Sequence, residues 1–337
     1  MSQPHRRRLA GHGRLAALTA SAALLTAACA GQQPAEDARQ DAKAPAVSSF
    51  AHAPRHYPLD AYVPDMKQRE ALDRAVDVVS GPCMKKFGAS WPAYETPPGN
   101  LPGNVRKYGV TDLESVRVYG YKPPLPDGVS RQRAVSFQQH AEKAQKSISA
   151  RAKAVYTGAA QTPRSKGGAT TRVPAGVPGG GCHGQAVRTL KADRSDTDLM
   201  AVQKLFFEAS ATTGKDPAAI ALNKRWSACM RKAGMAYPNP LAAVDDPTWR
   251  TQKTSRVGPH PNFPAPSVPE IRTAEADVRC KTATGYVTKL QGIESGHQRT
   301  LIASHARQLA AVQQRKQRMT AQVDAALSDG GGAAAKD

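Results

Sequence analysis

The sequence predicts a mainly α-helical, disulfide-stapled domain with long Pro/Gly-rich loops and a long C-terminal helix. Three observations carry that class. Apolar residues recur at helical spacing ahead of two matching segments, Cys83-Met84-Lys85-Lys86-Phe87-Gly88-Ala89-Ser90-Trp91-Pro92 and Cys229-Met230-Arg231-Lys232-Ala233-Gly234-Met235-Ala236-Tyr237-Pro238. No proline follows Pro269, so nothing beyond it forbids continuous helix. Four cysteines (Cys83, Cys182, Cys229, Cys280) follow a leader-like N-terminus, and an even count suits disulfides in an exported chain.

Residues 1–28 read as an export signal. Arg6, Arg7, Arg8 and Arg14 make the start basic, and no acid precedes Glu36. Leu15 to Ala28 form an apolar run of 14 residues. A bilayer span takes about 20 such residues, whereas a signal core takes fewer. Leu25-Thr26-Ala27-Ala28-Cys29-Ala30-Gly31 resembles a bacterial lipobox, departing from it at Thr26, where Leu is usual. Cys29 is then the lipidation site, carrying palmitate-like acyl chains, and the mature N-terminus. Ordinary cleavage at Ala28-Cys29-Ala30, releasing a soluble secreted protein, is the alternative. Residues 29–57, rich in Ala, Pro, Gln and charge without any period, have the composition of a flexible tether.

A helical domain is expected over 58–328, in half-repeats of about 58–190 and 195–328. In the first half Asp65 with Gln68 forms a capping box. The helix it opens carries Leu72, Val76, Val79, Cys83 and Phe87 on one face, with a kink expected at Pro82. In the second half Asp216-Pro217 starts a helix with Leu222, Trp226, Cys229 and Ala233 as its stripe. Gly88 and Gly234 suit left-handed caps, each preceded by a basic pair that favours the helix C-terminus. Equivalent helices imply that each cysteine bonds the first later cysteine of its own half, Cys83 to Cys182 and Cys229 to Cys280. Closing loops of about 100 and 50 residues would contribute roughly 4–5 kcal/mol each in the chain-entropy model.

Residues 92–130 read as irregular and hold Tyr94, Tyr108, Tyr119 and Tyr121; Ser130 to Val155 reads as one polar, basic helix. A Gly/Pro/Ser/Thr loop covers 158–181, Leu199, Val202, Phe206 and Ala209 mark another helix, and a Pro-rich connection covers 238–269. Residues 270–328 read as one or two helices with bends at Gly285, Gly292 and Gly296. Ile302, Leu309, Val312, Met319 and Val323 keep heptad-like spacing, interrupted by Lys316. An amphipathic helix packed on its own domain is preferred to a coiled coil. Residues 329–337 read as a disordered tail.

Taken in order, the lipobox, the tether, Cys83-Met84-Lys85-Lys86, Arg106-Lys107-Tyr108-Gly109-Val110, Gly180-Gly181-Cys182-His183-Gly184-Gln185-Ala186, Trp226-Ser227-Ala228-Cys229-Met230 and Ala276-Asp277-Val278-Arg279-Cys280-Lys281 give a resemblance. The chain is similar to a group of actinobacterial exported lipoproteins over about residues 60–300. The resemblance implies an architecture and a location, with no activity attached.

Chemical motifs are sparse. Cys182 beside His183 after three glycines raises a nucleophile, but a base must approach through space, and an exported cysteine with an available partner is read as paired. The nine histidines lack metal-ligand spacing, and Asp245-Asp246 before Pro247 is read as capping. No phosphate-cradling glycine motif and no Gly-x-Ser-x-Gly elbow occurs. Catalytic, metal and cofactor residues are therefore expected to be none. A formal charge of +20 points to anionic partners. Export disfavours nucleic acid. What remains is the membrane, reached through the N-terminal lipid, and an anionic wall polymer or a membrane protein. The expected function is a lipid-anchored, non-enzymatic binding or accessory module on the outer face of the cell membrane. A cell-wall-modifying hydrolase using the Tyr-rich region 92–121 is the alternative.

The anchoring expectation is tested by Cys29→Ser. Acylation should vanish and the protein should leave the membrane fraction; unchanged retention together with a lipid-free wild-type N-terminus contradicts it.

Overall fold

The computed structural model describes residues 56–334, except 102, 163–168, 193–196 and 252–256. The export signal, Cys29, the tether up to 55 and residues 335–337 lie outside the described residues.

Short polar side chains start most helices by accepting an amide that the first turn leaves free. Asp65 accepts from the Gln68 amide at 2.8 Å while Gln68 accepts from that of Asp65, which opens α1 (Met66–Lys86). The remaining helices are α2 (Leu113–Tyr119, capped by Asp112), α3 (Arg131–Ser147, Ser130), α4 (Ala150–Thr157, Ser149), α5 (Gly181–Thr189), α6 (Thr197–Lys215), α7 (Pro217–Lys232, Asp216), α8 (Pro240–Val244, Asn239), α9 (Thr248–Thr251), α10 (Val268–Thr284, Ser267), α11 (Tyr286–Ser304) and α12 (Ala306–Ala334). A 3-10 turn, Pro58–Tyr62, precedes α1. Among the described residues the only β-pairing is an isolated bridge between Gln161 and Thr171.

The two Cys-Met helices end in the same way. The amides of Ala89 and Met235 bond the carbonyls of Met84 and Met230, both at 3.0 Å, and those of Gly88 and Gly234 bond Lys85 and Arg231. Both glycines have positive φ, +61° and +82°. These are paired Schellman caps. The methionines, not the cysteines, are the fully buried members of the repeat; Cys83 and Cys229 are half-buried.

Cys83 is bonded to Cys182 and Cys229 to Cys280, with Cα separations of 5.6 and 5.7 Å. The similarity of the halves ends there. Cys182 sits in the first turn of α5, whereas Cys280 lies deep in α10. Close approach of backbones sets the first bridge: a Cβ at Gly181 would fall 2.1 Å from the Tyr156 carbonyl, so only glycine lets α5 begin against α4.

The consecutive helices α10, α11 and α12 form a spine. α7, α8 and α2 pack on α10; α6 and the 3-10 turn pack on α11; α1 packs along α12 and carries α5 with it. Three apolar clusters follow the spine. Trp226, Leu222 and Met230 meet Val278, Tyr286 and Leu290; Leu59, Val202 and Leu205 meet Leu309 and Val312; Ala75, Val76 and Leu190 meet Met319 and Val323. A fourth, around Met84, Val155 and Cys182, surrounds the first disulfide. The heptad-spaced residues of α12 are thus spent within the domain. The half-repeats are not separate lobes, because α1 and α2 of the first lie on α12 and α10 of the second and all belong to one compact unit.

Several boundaries differ from the expectations. Residues 131–157 form two helices because Ile148 turns extended and Ser149 caps afresh. Asp112 caps a helix inside the stretch read as irregular. The spine breaks at Gly285, whose φ of +62° is left-handed, and at His305; Gly292 and Gly296 are interior to α11. α1 runs on through Pro82. α12 continues to Ala334, past the boundary at 328. Its 29 residues span about 44 Å.

The interruption at Lys316 has a cause. Its ammonium donates to the carbonyls of Ala61 and Val63, at 2.9 and 3.0 Å, closing the exposed end of the 3-10 turn. Two turns away Leu309, 1% exposed, fills the cluster beneath Leu59. Leu309→Ala should cost about 2–5 kcal/mol in urea unfolding. A loss below about 1 kcal/mol would mean that α12 is not part of the core.

Candidate functional site

The Tyr-rich segment is held by three acids of the spine, Glu270 and Asp277 on α10 and Glu294 on α11, which are 1%, 0% and 1% exposed. Glu270 and Asp277 are seven residues apart, two turns on one face of the helix. Glu270 accepts the Tyr121 amide at 3.0 Å and the Lys122 ammonium. Asp277 accepts the Trp226 indole N–H and the Lys281 ammonium, both at 2.9 Å; Lys281 also donates to the Val110 carbonyl at 2.8 Å. The Tyr121 hydroxyl is buried beside Asp277 but outside hydrogen-bond geometry. Arg106, half-buried, bonds the carbonyls of Tyr121 and Lys122.

Glu294 closes a second network. The Tyr57 hydroxyl donates to that of Tyr108 at 2.7 Å, and Tyr108 donates to Glu294 at 2.8 Å. Lys107 pairs with the same carboxylate at 2.6 Å and stands 4.4 Å from the Tyr57 ring centre. Gln298, next along α11, accepts the Leu59 amide at 3.0 Å. Burial pushes the Tyr57 and Tyr108 phenols well above the ordinary range, so both stay protonated.

Acids facing the Tyr-rich region are what hydrolase chemistry there would need. These three do face it, but each is sealed from solvent and paired with a lysine. A polymer cannot reach them, and none is placed as an exposed proton donor. The arrangement fixes a loop on a helix pair.

The other candidate residues are dispersed. Cys182 is bonded and fully buried, so the nucleophile is excluded, and His183 lies against the Tyr156 ring. His297 meets Asp216 at 3.0 Å, His305 turns back to the Leu301 carbonyl, and His260 neighbours Phe263. No grouping of three potential metal ligands occurs among the described residues. Asp246 accepts from Thr248 and from the Tyr237 hydroxyl at 2.6 Å, which bears out its capping role. Cys29 lies outside the described residues.

The surface carries cations and two open grooves. Arg151 donates to the Phe87 carbonyl at 3.0 Å, which brings it to the end of α1 beside exposed Lys85 and Lys86. Arg231 and Lys232 are exposed at the end of α7. A groove of roughly 580 Å³ runs between α3 (Phe137, Gln138, Gln145) and the loops at Leu125, Pro126 and His260. A smaller one, roughly 430 Å³, lies between α7 and α11. Of these features the sequence reading identified the basic helix ends and missed the buried acids, whose only trace was acids at core-facing positions of a helix.

Comparison with family models, with curated protein sequences and with solved structures returns no match.

The Asp277–Lys281 pair makes a stability prediction. Burial pushes the Asp277 carboxyl up to about 6 against the opposing pull of Lys281. A raised acid favours folding fully below its unfolded value near 3.9, and that contribution is lost as pH rises through about 6. Lys281→Met strands the carboxylate and should destabilise the protein at pH 7 by about 3–5 kcal/mol. Lowering the pH from 7 to 5 should restore part of that loss in denaturant unfolding. A variant as stable as wild type at pH 7, with no such recovery, contradicts the buried pair.

Proposed function

We propose that this chain is a lipid-anchored, non-enzymatic module of the cell envelope that binds an anionic, phosphate-bearing wall polymer. The observation that carries the reading is the contrast between acids and cations. Glu270, Asp277 and Glu294 of the spine are buried in pairs with lysines, while Lys85, Lys86 and Arg151 share the end of α1 in the open, with no ion pair to an acid among the described residues. A chain with 47 basic and 27 acidic residues projects a positive field, which attracts polyanions over a Debye length. Two disulfides fit an oxidising, extracytoplasmic setting. Among the described residues no helix is long and apolar enough to cross a membrane. In this reading acylation of Cys29 supplies the anchor. The resemblance to exported lipoproteins supports the same location.

Co-sedimentation with isolated phosphodiester wall polymer tests the reading. Binding should be strong at low salt and lost towards roughly 1 M, where the screening length is about 3 Å. Lys85→Gln/Lys86→Gln/Arg151→Gln should weaken it several-fold without changing the unfolding midpoint. Salt-insensitive capture of one membrane protein would replace the polymer with that partner, and release of wall fragments by the purified chain would reinstate the hydrolase.

A further inference from the structure

The groove between α7 and α11 is lined by Ala218, Leu222, Ile293 and Gly292, with Arg225 and Lys289 as its cations. An apolar floor between two positive side chains fits an anionic amphiphile: a charged head between the cations and the first methylenes beneath it. Lys289 is held in place, since its ammonium donates to the Thr284 carbonyl at 2.8 Å and its stem lies against Gly285. Three ammonium protons leave two for a ligand. Neither Arg225 nor Lys289 has an ion pair among the described residues. The nearest acid along α7, Asp216, is occupied by His297 and by the Ala218 amide.

Gly292 adds a sequence-level oddity. It lies inside a helix, a position where glycine is disfavoured, yet a Cβ there would meet nothing within 4 Å. Packing does not require it. What its lack of a side chain does is keep the groove floor open.

The chain's own connectivity points to the occupant. The described part starts at His56, whose carbonyl accepts from Gln291 at 2.9 Å, within one turn of Lys289 and Gly292 on α11. Between Cys29 and that point lie 26 residues. The chain that leads from Cys29 therefore enters the domain beside this part of α11.

We infer that the Arg225–Lys289 groove binds the headgroup of an anionic phospholipid in the membrane that holds the anchor, so that the domain docks with α7 and α11 towards the bilayer. The inference rests on the anchoring reading. It supplies an orientation that leaves the bilayer-distal surface to other ligands.

The test is the acetylation rate of Lys289, read by peptide mass spectrometry on the mature acylated protein in vesicles. In phosphatidylglycerol vesicles Lys289 should react several-fold more slowly than in phosphatidylcholine vesicles, while Lys224, outside the groove, changes little. Arg225→Gln should weaken headgroup binding roughly fivefold, the contribution of one cation near an anionic surface, and restore much of the reactivity. Gly292→Leu should restore it too, by filling the floor, while raising the melting temperature. Equal slowing of Lys224 and Lys289, or no effect of either variant, overturns the site. Equal protection by inorganic phosphate in phosphatidylcholine vesicles overturns the lipid as its ligand. An unacylated mature N-terminus overturns the anchoring reading alone, since the Lys289 comparison between phosphatidylglycerol and phosphatidylcholine vesicles still decides the groove.

Discussion

Asp277 occupies the position on which the domain's organisation turns. One fully buried carboxylate receives an indole from α7, an ammonium from its own helix and, through that ammonium, a backbone carbonyl of the loop at 110. A buried charge is tolerated only when each of its lone pairs is answered, so α7, α10 and the loop must reach their places together. Glu270 and Glu294 repeat the arrangement on either side. With aromatic residues at only 5% of the chain, directional bonds take over part of the task that interlocking rings perform in other cores. Their contribution is to specificity of arrangement more than to net stability.

The disulfides and α12 deal with a different problem. Long segments between helices carry little regular structure and are held at points, not along their length. The first bridge draws α5 onto the end of α1, and α12 then covers α1 from the other side with Met319 and Val323. The second bridge ties α7 to α10 within the largest cluster. Surface cations are left free of these duties. Three acids, Glu270, Asp277 and Glu294, are committed to holding the loop and are closed to solvent by their lysine partners.

Local chemistry was legible in the sequence wherever a signal and its structural consequence lie within a few residues. The Asp65–Gln68 box, the Gly88 and Gly234 caps and the stripe ending at Val323 are of this kind; the cysteine partners, 99 and 51 residues apart, were legible only through the internal repeat. Short α2 was not legible, because seven residues among prolines and tyrosines acquire helical stability by packing on α10. Nor were the roles of Glu270 and Glu294, whose partners Lys122 and Lys107 are some 150 to 190 positions away. Lys316 read as a flaw in a heptad, since the carbonyls it closes belong to residues 61 and 63. Gly292 and Gly296 read as bends because propensity ranks glycine low; the spine instead breaks where backbone geometry demands it, at Gly285 and His305.

Residue-resolved native-state hydrogen exchange tests most directly whether the spine's acids are clamps for the Tyr-rich segment. The Tyr121 amide, bonded to Glu270, and the amides around 104–122 should exchange through the same opening as the amides of α10, with the same denaturant dependence. Exchange of Tyr121 through a small, denaturant-independent opening while α10 stays protected would show that the segment is only loosely attached. The acids would then be accessible in that open form, and the case against a catalytic role for them would fall.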